Sequence, residues 1–162
     1  ISDGVRVGTP SVIVLRAFTK FYAMPGLRLG YLITSDGELS DKVRSVLPDW
    51  NVSSIAQQAG MLALTETEYE NRTRDFLQTE REYMRTGLVR LGATVYDGCA
   101  NYLFWKGKAG LMERLVQSGI LIRDCSNYHG LAQTEDGMCY YRTAIRLRAE
   151  NDRLLELLGC YL

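Results

Sequence analysis

The chain is 162 residues long, 46% hydrophobic and 23% charged, with 19 basic against 19 acidic residues and a formal net charge of zero. This balance, with a sequence pI near 6.8, argues against nucleic acid or an anionic membrane as a partner, since both select a basic surplus. The length admits one sizeable core or two small ones, and no apolar run reaches the ~20 residues that span a bilayer.

Residues 12–15, a β-branched run after Gly8-Thr9-Pro10, predict a buried strand. Residues 29–33 predict a second, closed by Ser35-Asp36-Gly37. A helix is expected over 39–47, ending at Pro48, and another over 53–64 with Ser53 or Ser54 as its cap. Residues 66–91 form the longest helical pattern, with Glu and Arg at three- and four-residue spacings over a stripe of Tyr69, Phe76, Leu77, Tyr83, Met84 and Leu88. Gly92 suits its end.

Past Gly92 the rhythm changes. Strands are expected over 93–96 and 102–106, a helix over 111–118, strands over 120–123 and 139–146, and a last helix over 149–158. This β-β-α-β-β-α order describes a compact α+β module. The polar, unpatterned stretch 130–137 reads as a mobile loop. Leu147 stands where a capping Ser, Thr or Asp is expected, a loss of about 1 kcal/mol that Glu150 and Asp152 partly offset through the helix dipole.

Lys20 is one of four lysines against fifteen arginines. It follows the first strand directly, and Arg28 returns eight residues later, past Pro25-Gly26. A lysine held between buried strands is costly unless used, because a buried ammonium must lose its charge or find partners. The spacing suits an amine nucleophile beside a phosphate clamp. A surface lysine at a strand end, and an Arg28 in a structural ion pair, fit the bare spacing too. Tyr22 either hydrogen-bonds near the lysine or packs as a core aromatic.

Strand alternation puts Arg142, Ala144 and Arg146 on one face and Tyr141, Thr143 and Ile145 on the other. An arginine inside such a run needs an anion, and Arg123 ends another apolar run. Arg146 suits a structural pair at least as well. His129, the single histidine, reads as a solvent-facing loop residue. Cys99, Cys125, Cys139 and Cys160 are scattered without a C-x-x-C, so neither a zinc site nor a thioredoxin motif is expected. A reduced, cytoplasmic protein is the simpler expectation.

The segment Thr19-Lys20-Phe21-Tyr22-Ala23-Met24-Pro25-Gly26-Leu27-Arg28-Leu29-Gly30-Tyr31 resembles the lysine loop of the fold-type-I pyridoxal-phosphate enzymes, the class I/II aminotransferase superfamily. The resemblance implies an α/β fold of which this chain is the C-terminal half. Residues 1–65 would end the large cofactor-binding domain, 66–92 would form a bridging helix, and 93–162 the small α+β domain. It implies pyridoxal 5'-phosphate as cofactor. Lys20 would condense with its aldehyde, while Thr19 and Arg28 would hold its phosphate. Ala17 replaces a second hydroxyl residue frequent in the family. Arg142 would grip a substrate α-carboxylate, and Arg123 a substrate phosphate.

The stretches Ala100-Asn101-Tyr102-Leu103, Ile122-Arg123-Asp124-Cys125-Ser126-Asn127-Tyr128 and Tyr140-Tyr141-Arg142-Thr143-Ala144-Ile145-Arg146 resemble, within that superfamily, the threonine-phosphate decarboxylases of cobalamin biosynthesis. Histidinol-phosphate aminotransferases are the near relatives. Leu147, His129 and a longer loop before Cys139 depart from the pattern. The implied reaction is decarboxylation of a small phosphorylated amino acid, L-threonine O-3-phosphate, to (R)-1-aminopropan-2-yl phosphate by a homodimer. Amine transfer is the alternative. A ligand-sensing domain of a transcription regulator is another, which nothing in these residues favours. The chain alone is expected to bind cofactor weakly and not to turn over, because other cofactor-holding residues would lie upstream.

Overall fold

The computed structural model describes residues 12–131 and 137–162. Gly8-Thr9-Pro10 and residues 132–136 of the expected loop lie outside the described residues. The chain divides into two units, Ile1–Glu70 and Asn71–Leu162.

In the first unit, β1 (Ile13–Ala17) and β2 (Gly30–Thr34) pair antiparallel, from Ile13 opposite Thr34 to Ala17 opposite Gly30. A Cβ at residue 30 would stand 2.9 Å from the Arg16 carbonyl oxygen, so only glycine lets the strands approach there. The expectation of a buried first strand needs correction: Leu15 is 75% exposed and Ile13 47%. A β-branched run signals a strand that another layer can cover, but in this two-stranded ribbon it is β2 that is half-buried, while β1 stays largely exposed.

Two helices follow. α1 (Gly37–Val46) begins earlier than the pattern indicated, because Asp36 caps it by accepting from the Leu39 amide at 3.0 Å. α2 (Ser54–Ala63) is capped by Ser53, which accepts from the Ala56 amide at 3.2 Å. α3 (Thr67–Arg90) carries the chain from one unit into the other. It closes at Gly92, whose φ of +88° is a left-handed conformation that favours glycine.

The second unit contains β3 (Thr94–Tyr96), β4 (Tyr102–Lys108), α4 (Leu111–Gln117), β5 (Arg123–Asp124), β6 (Met138–Ala144) and α5 (Arg148–Gly159). The sheet runs β3-β4-β6-β5 and every pair is antiparallel. One sheet face carries Leu103, Trp105 and Tyr141 into a core with Met84 and Leu88 of α3, Leu111 and Leu115 of α4, and Leu154 and Leu158 of α5. Each fully buried side chain of this size contributes roughly 1.5–3 kcal/mol. The polar atoms in this core are satisfied: the Trp105 Nε1–H donates to Thr143 Oγ1 at 2.9 Å, and the Tyr141 hydroxyl donates to the Lys108 carbonyl at 2.8 Å.

Three boundaries differ from the pattern. The strand expected over 120–123 is only Arg123–Asp124, since the Ile120 amide is taken by the Leu115 carbonyl at 2.9 Å as α4 closes. β6 stops at Ala144, and the Arg146 amide turns to Asn151 Oδ1 at 3.2 Å. The missing cap at Leu147 is replaced from inside α5: besides Asn151, Glu150 Oε2 accepts from the Leu147 amide at 3.4 Å.

Candidate active site

Lys20 sits on the turn after β1. Three backbone hydrogen bonds shape that turn: Phe18 N–H to Leu29 O at 3.1 Å, Met24 N–H to Phe18 O at 3.3 Å, and Ala23 N–H to Lys20 O at 3.1 Å. Thr19 and Lys20 therefore leave one side of the Phe18–Leu29 bridge while Arg28 enters from the other. All three expected cofactor residues share one closed loop. Arg28 adopts a left-handed φ of 52°, which costs roughly 1–2 kcal/mol for a residue with a Cβ, and its Nη1 donates to the Pro25 carbonyl at 3.1 Å. Lys20 is exposed, against the expectation of a buried amine, and the strand it follows, β1, is itself largely exposed. It is accessible as a nucleophile. A hydroxyl, a primary amine and a forked guanidinium on one loop form a donor set that suits an aldehyde carrying a phosphate.

Aromatic packing braces this loop. Phe18 is buried and stacks on Tyr22 with centroids 5.1 Å apart, and Tyr22 stacks on Tyr69 at 6.1 Å. The Tyr69 hydroxyl donates to the Phe21 carbonyl at 2.8 Å, and the Tyr22 hydroxyl donates to Glu70 Oε1. Burial, followed by the Glu70 carboxylate, pushes the Tyr22 hydroxyl up to about 12, so it stays a donor. Both expectations for Tyr22 hold together: it packs, and it hydrogen-bonds next to the lysine turn.

In the second unit, Arg123 and Arg142 are direct partners across β5 and β6. They occupy the sheet face opposite Trp105 and Tyr141, as alternation predicts for Arg142. The Arg142 guanidinium lies 3.9 Å over the Tyr102 ring, and its Nη1 donates to the Tyr128 hydroxyl at 3.0 Å. That bond, opposed by burial, holds its charge above the usual range. Its Nε is buried and has no hydrogen-bond partner among the described residues. Arg123 is exposed, stands 5.8 Å over the Tyr128 ring and donates through Nη2 to Asn127 Oδ1 at 3.4 Å. Two like charges directly opposite on a ladder repel, and the hydrogen-bond partners just described are neutral. An acidic side chain that interacts with Arg123 is Asp124, whose carboxyl, against the opposing effect of burial, is held below its usual range mainly by Ser126, with Arg123 contributing. Arg146 is spoken for, pairing with Glu150 at 2.6 Å, and His129 is exposed.

Tyr102 and Tyr128 were not expected at this site. They surround Arg142, and Glu80 is a buried carboxylate on α3. Glu80 accepts from Arg148 Nη2 at 2.8 Å and from Asn151 Nδ2 at 2.8 Å. The signal for Glu80 was present: it lies four residues before Met84 and eight before Leu88, on the stripe that faces the core. The four cysteines are free thiols. Among the described residues no cluster of His, Cys, Asp and Glu could hold a metal, and no helix is long and apolar enough to cross a membrane.

With this fold and these residues on one loop and one ladder, the chain belongs to the aminotransferase class I and II family, whose model matches residues 3–154. It is similar to the threonine-phosphate decarboxylase of Salmonella typhimurium strain LT2, with 42% identity over 153 residues, covering 92% of this chain and 41% of that protein. It is also similar to a histidinol-phosphate aminotransferase of Anaeromyxobacter sp. strain Fw109-5, with 34% identity over 154 residues, 93% of this chain and 40% of that one. The crystal structure of the histidinol-phosphate aminotransferase from Clostridium acetobutylicum superposes with a TM-score of 0.81 at 29% identity, covering 91% of this chain and 45% of that chain. The chain thus spans less than half the length of the relatives it matches, and falls in the C-terminal portion of the decarboxylase. The expected α/β architecture agrees with these aminotransferase structures.

Proposed function

We propose that the full-length protein is a pyridoxal-phosphate-dependent decarboxylase of L-threonine O-3-phosphate, yielding (R)-1-aminopropan-2-yl phosphate. The observation that carries this is the facing pair Arg123 and Arg142, with the Arg142 Nε buried and without a partner among the described residues. Such a pair suits a substrate with two separated anionic groups, a carboxylate and a phosphate. The 42% identity to a threonine-phosphate decarboxylase supports the same choice.

In this proposal Thr19 and Arg28 hold the cofactor phosphate, and Lys20 holds the cofactor through its amine. The bound cofactor supplies an electron sink for breaking a bond at the substrate Cα. Arg142 grips the carboxylate and Arg123 the phosphate, so together they fix the orientation of Cα and with it which bond is poised to break. In the same proposal Lys20 returns a proton to Cα. The large-domain, bridging-helix and small-domain roles of 1–65, 66–92 and 93–162 belong to this proposal. So do a cytoplasmic homodimer and a place in cobalamin biosynthesis.

The test supplies L-threonine O-3-phosphate to the full-length gene product with cofactor. Carbon dioxide release without a keto acid is the expected result. Keto-acid-dependent amine transfer with no carbon dioxide would overturn it in favour of the second reading, an aminotransferase, which the likeness to histidinol-phosphate aminotransferases supports.

A further inference from the structure

We propose that Tyr128 is a positioning residue that selects which edge of Arg142 meets the substrate and sets where Arg123 stands beside it. This rests on the two arginines being the substrate anchors proposed above.

A guanidinium presents donors on more than one edge. In Arg142 the Nη1 position is occupied by the Tyr128 hydroxyl at 3.0 Å, and Tyr102 covers one face at 3.9 Å. One of the two Nη1 hydrogens is thereby engaged. The Nε–H, buried and without a partner among the described residues, points to the same side as one Nη2 hydrogen. Those two parallel donors match the two oxygens of a carboxylate. With Nη1 held by Tyr128, the Nε–Nη2 pair is the edge offered for bidentate capture.

The same side chain serves Arg123. Its ring lies beneath that guanidinium at 5.8 Å, and the neighbouring Asn127 accepts from Nη2 at 3.4 Å. The turn that carries Tyr128 is fastened to the strand that carries Arg142. The Tyr128 amide donates to the Cys125 carbonyl at 3.0 Å, and the Cys125 amide donates to the Tyr140 carbonyl at 2.9 Å, two residues before Arg142. Cys125 itself is fully buried. The hydroxyl thus orients one arginine while the ring supports the other, and the turn links both to one frame.

Two substitutions separate these roles. In the full-length protein with its cofactor fixed to Lys20 by borohydride reduction, which stops turnover, equilibrium binding of O-phospho-L-threonine and of L-threonine is measured by titration calorimetry, alongside steady-state kinetics of the unreduced enzyme and melting temperature. Tyr128→Phe keeps the ring and removes the hydroxyl. It should weaken both ligands by about tenfold, the size of one hydrogen bond to a charged group. The preference for the phosphorylated ligand should be unchanged, and KM should move more than kcat. Tyr128→Leu removes the ring as well, and should narrow the phosphate preference about tenfold further. A Tyr128→Phe variant that binds both ligands like the parent protein would overturn the hydroxyl role, and a Tyr128→Leu variant with the parental preference would overturn the ring role. If the leucine variant fails to fold, the phenylalanine variant still decides the first point. A parent protein with no preference for the phosphorylated ligand would instead defeat the substrate assignment beneath the proposal.

Discussion

Lys20 shows how one residue can be readable in identity and unreadable in environment. Its place after a strand, with Arg28 returning past Pro25-Gly26, marked it from the sequence, but its exposure depends on what covers β1, which local pattern does not encode. Borohydride reduction of the full-length protein with cofactor, followed by peptide mapping, should label Lys20, and Lys20→Ala should abolish the label. A label on another side chain would end its assignment. Glu80 offers a separate test in the second unit. The Arg148 hydrogen bond holds its carboxyl below the usual 4.5, with burial opposing and Asn151 assisting. A carboxyl lowered in the folded state stabilises fully above its unfolded value, and that stabilisation fades as pH falls through the folded value. Glu80→Gln should therefore lower stability at neutral pH by roughly 2 kcal/mol, the scale of a hydrogen bond to a charged group. It should also flatten the loss of stability below pH 4.5, as read by urea unfolding across pH. An unchanged acid limb would contradict this.

At the scale of elements, α2 and the lysine loop depend on each other through Gly60. A Cβ there would stand 2.5 Å from Leu29 Cδ2 and 3.6 Å from the Phe18 ring, and Phe18 and Leu29 are the residues that close the loop. Gly60→Val should lose about 1–3 kcal/mol through overpacking and should also weaken cofactor binding, since the displaced Leu29 adjoins Arg28. A spectroscopic cofactor titration of the full-length variant checks this; parental affinity would show that the loop does not feel α2. The helices themselves were largely legible, because caps and terminators are local: Asp36, Ser53 and Gly92 act through bonds within a few residues. β5 was legible only at its end, because the closure of α4 claims the Ile120 amide first.

For the molecule as a whole, apolar burial is uneven. The main core, from Met84 to Leu158, lies in the second unit, whereas in the first Leu15, Val46, Trp50 and Ile55 are more than 70% exposed. Hydrogen exchange on the 162-residue chain should find the slowest amides in β4 and β6 and fast exchange in β1. Uncovered apolar side chains and unpaired strand edges favour association, so sedimentation velocity should show concentration-dependent assembly. A monodisperse monomer with protected β1 amides would contradict both expectations.

Sequence alone determined the order of helices and strands, the candidate lysine loop and the sheet face of Arg142, because propensity, capping and alternation operate over a few residues. Tertiary structure decided that Arg123 stands directly opposite Arg142, that Tyr128 bridges them and that Lys20 is exposed. Strand register and side-chain cover arise between segments distant along the chain, where no local period carries the information.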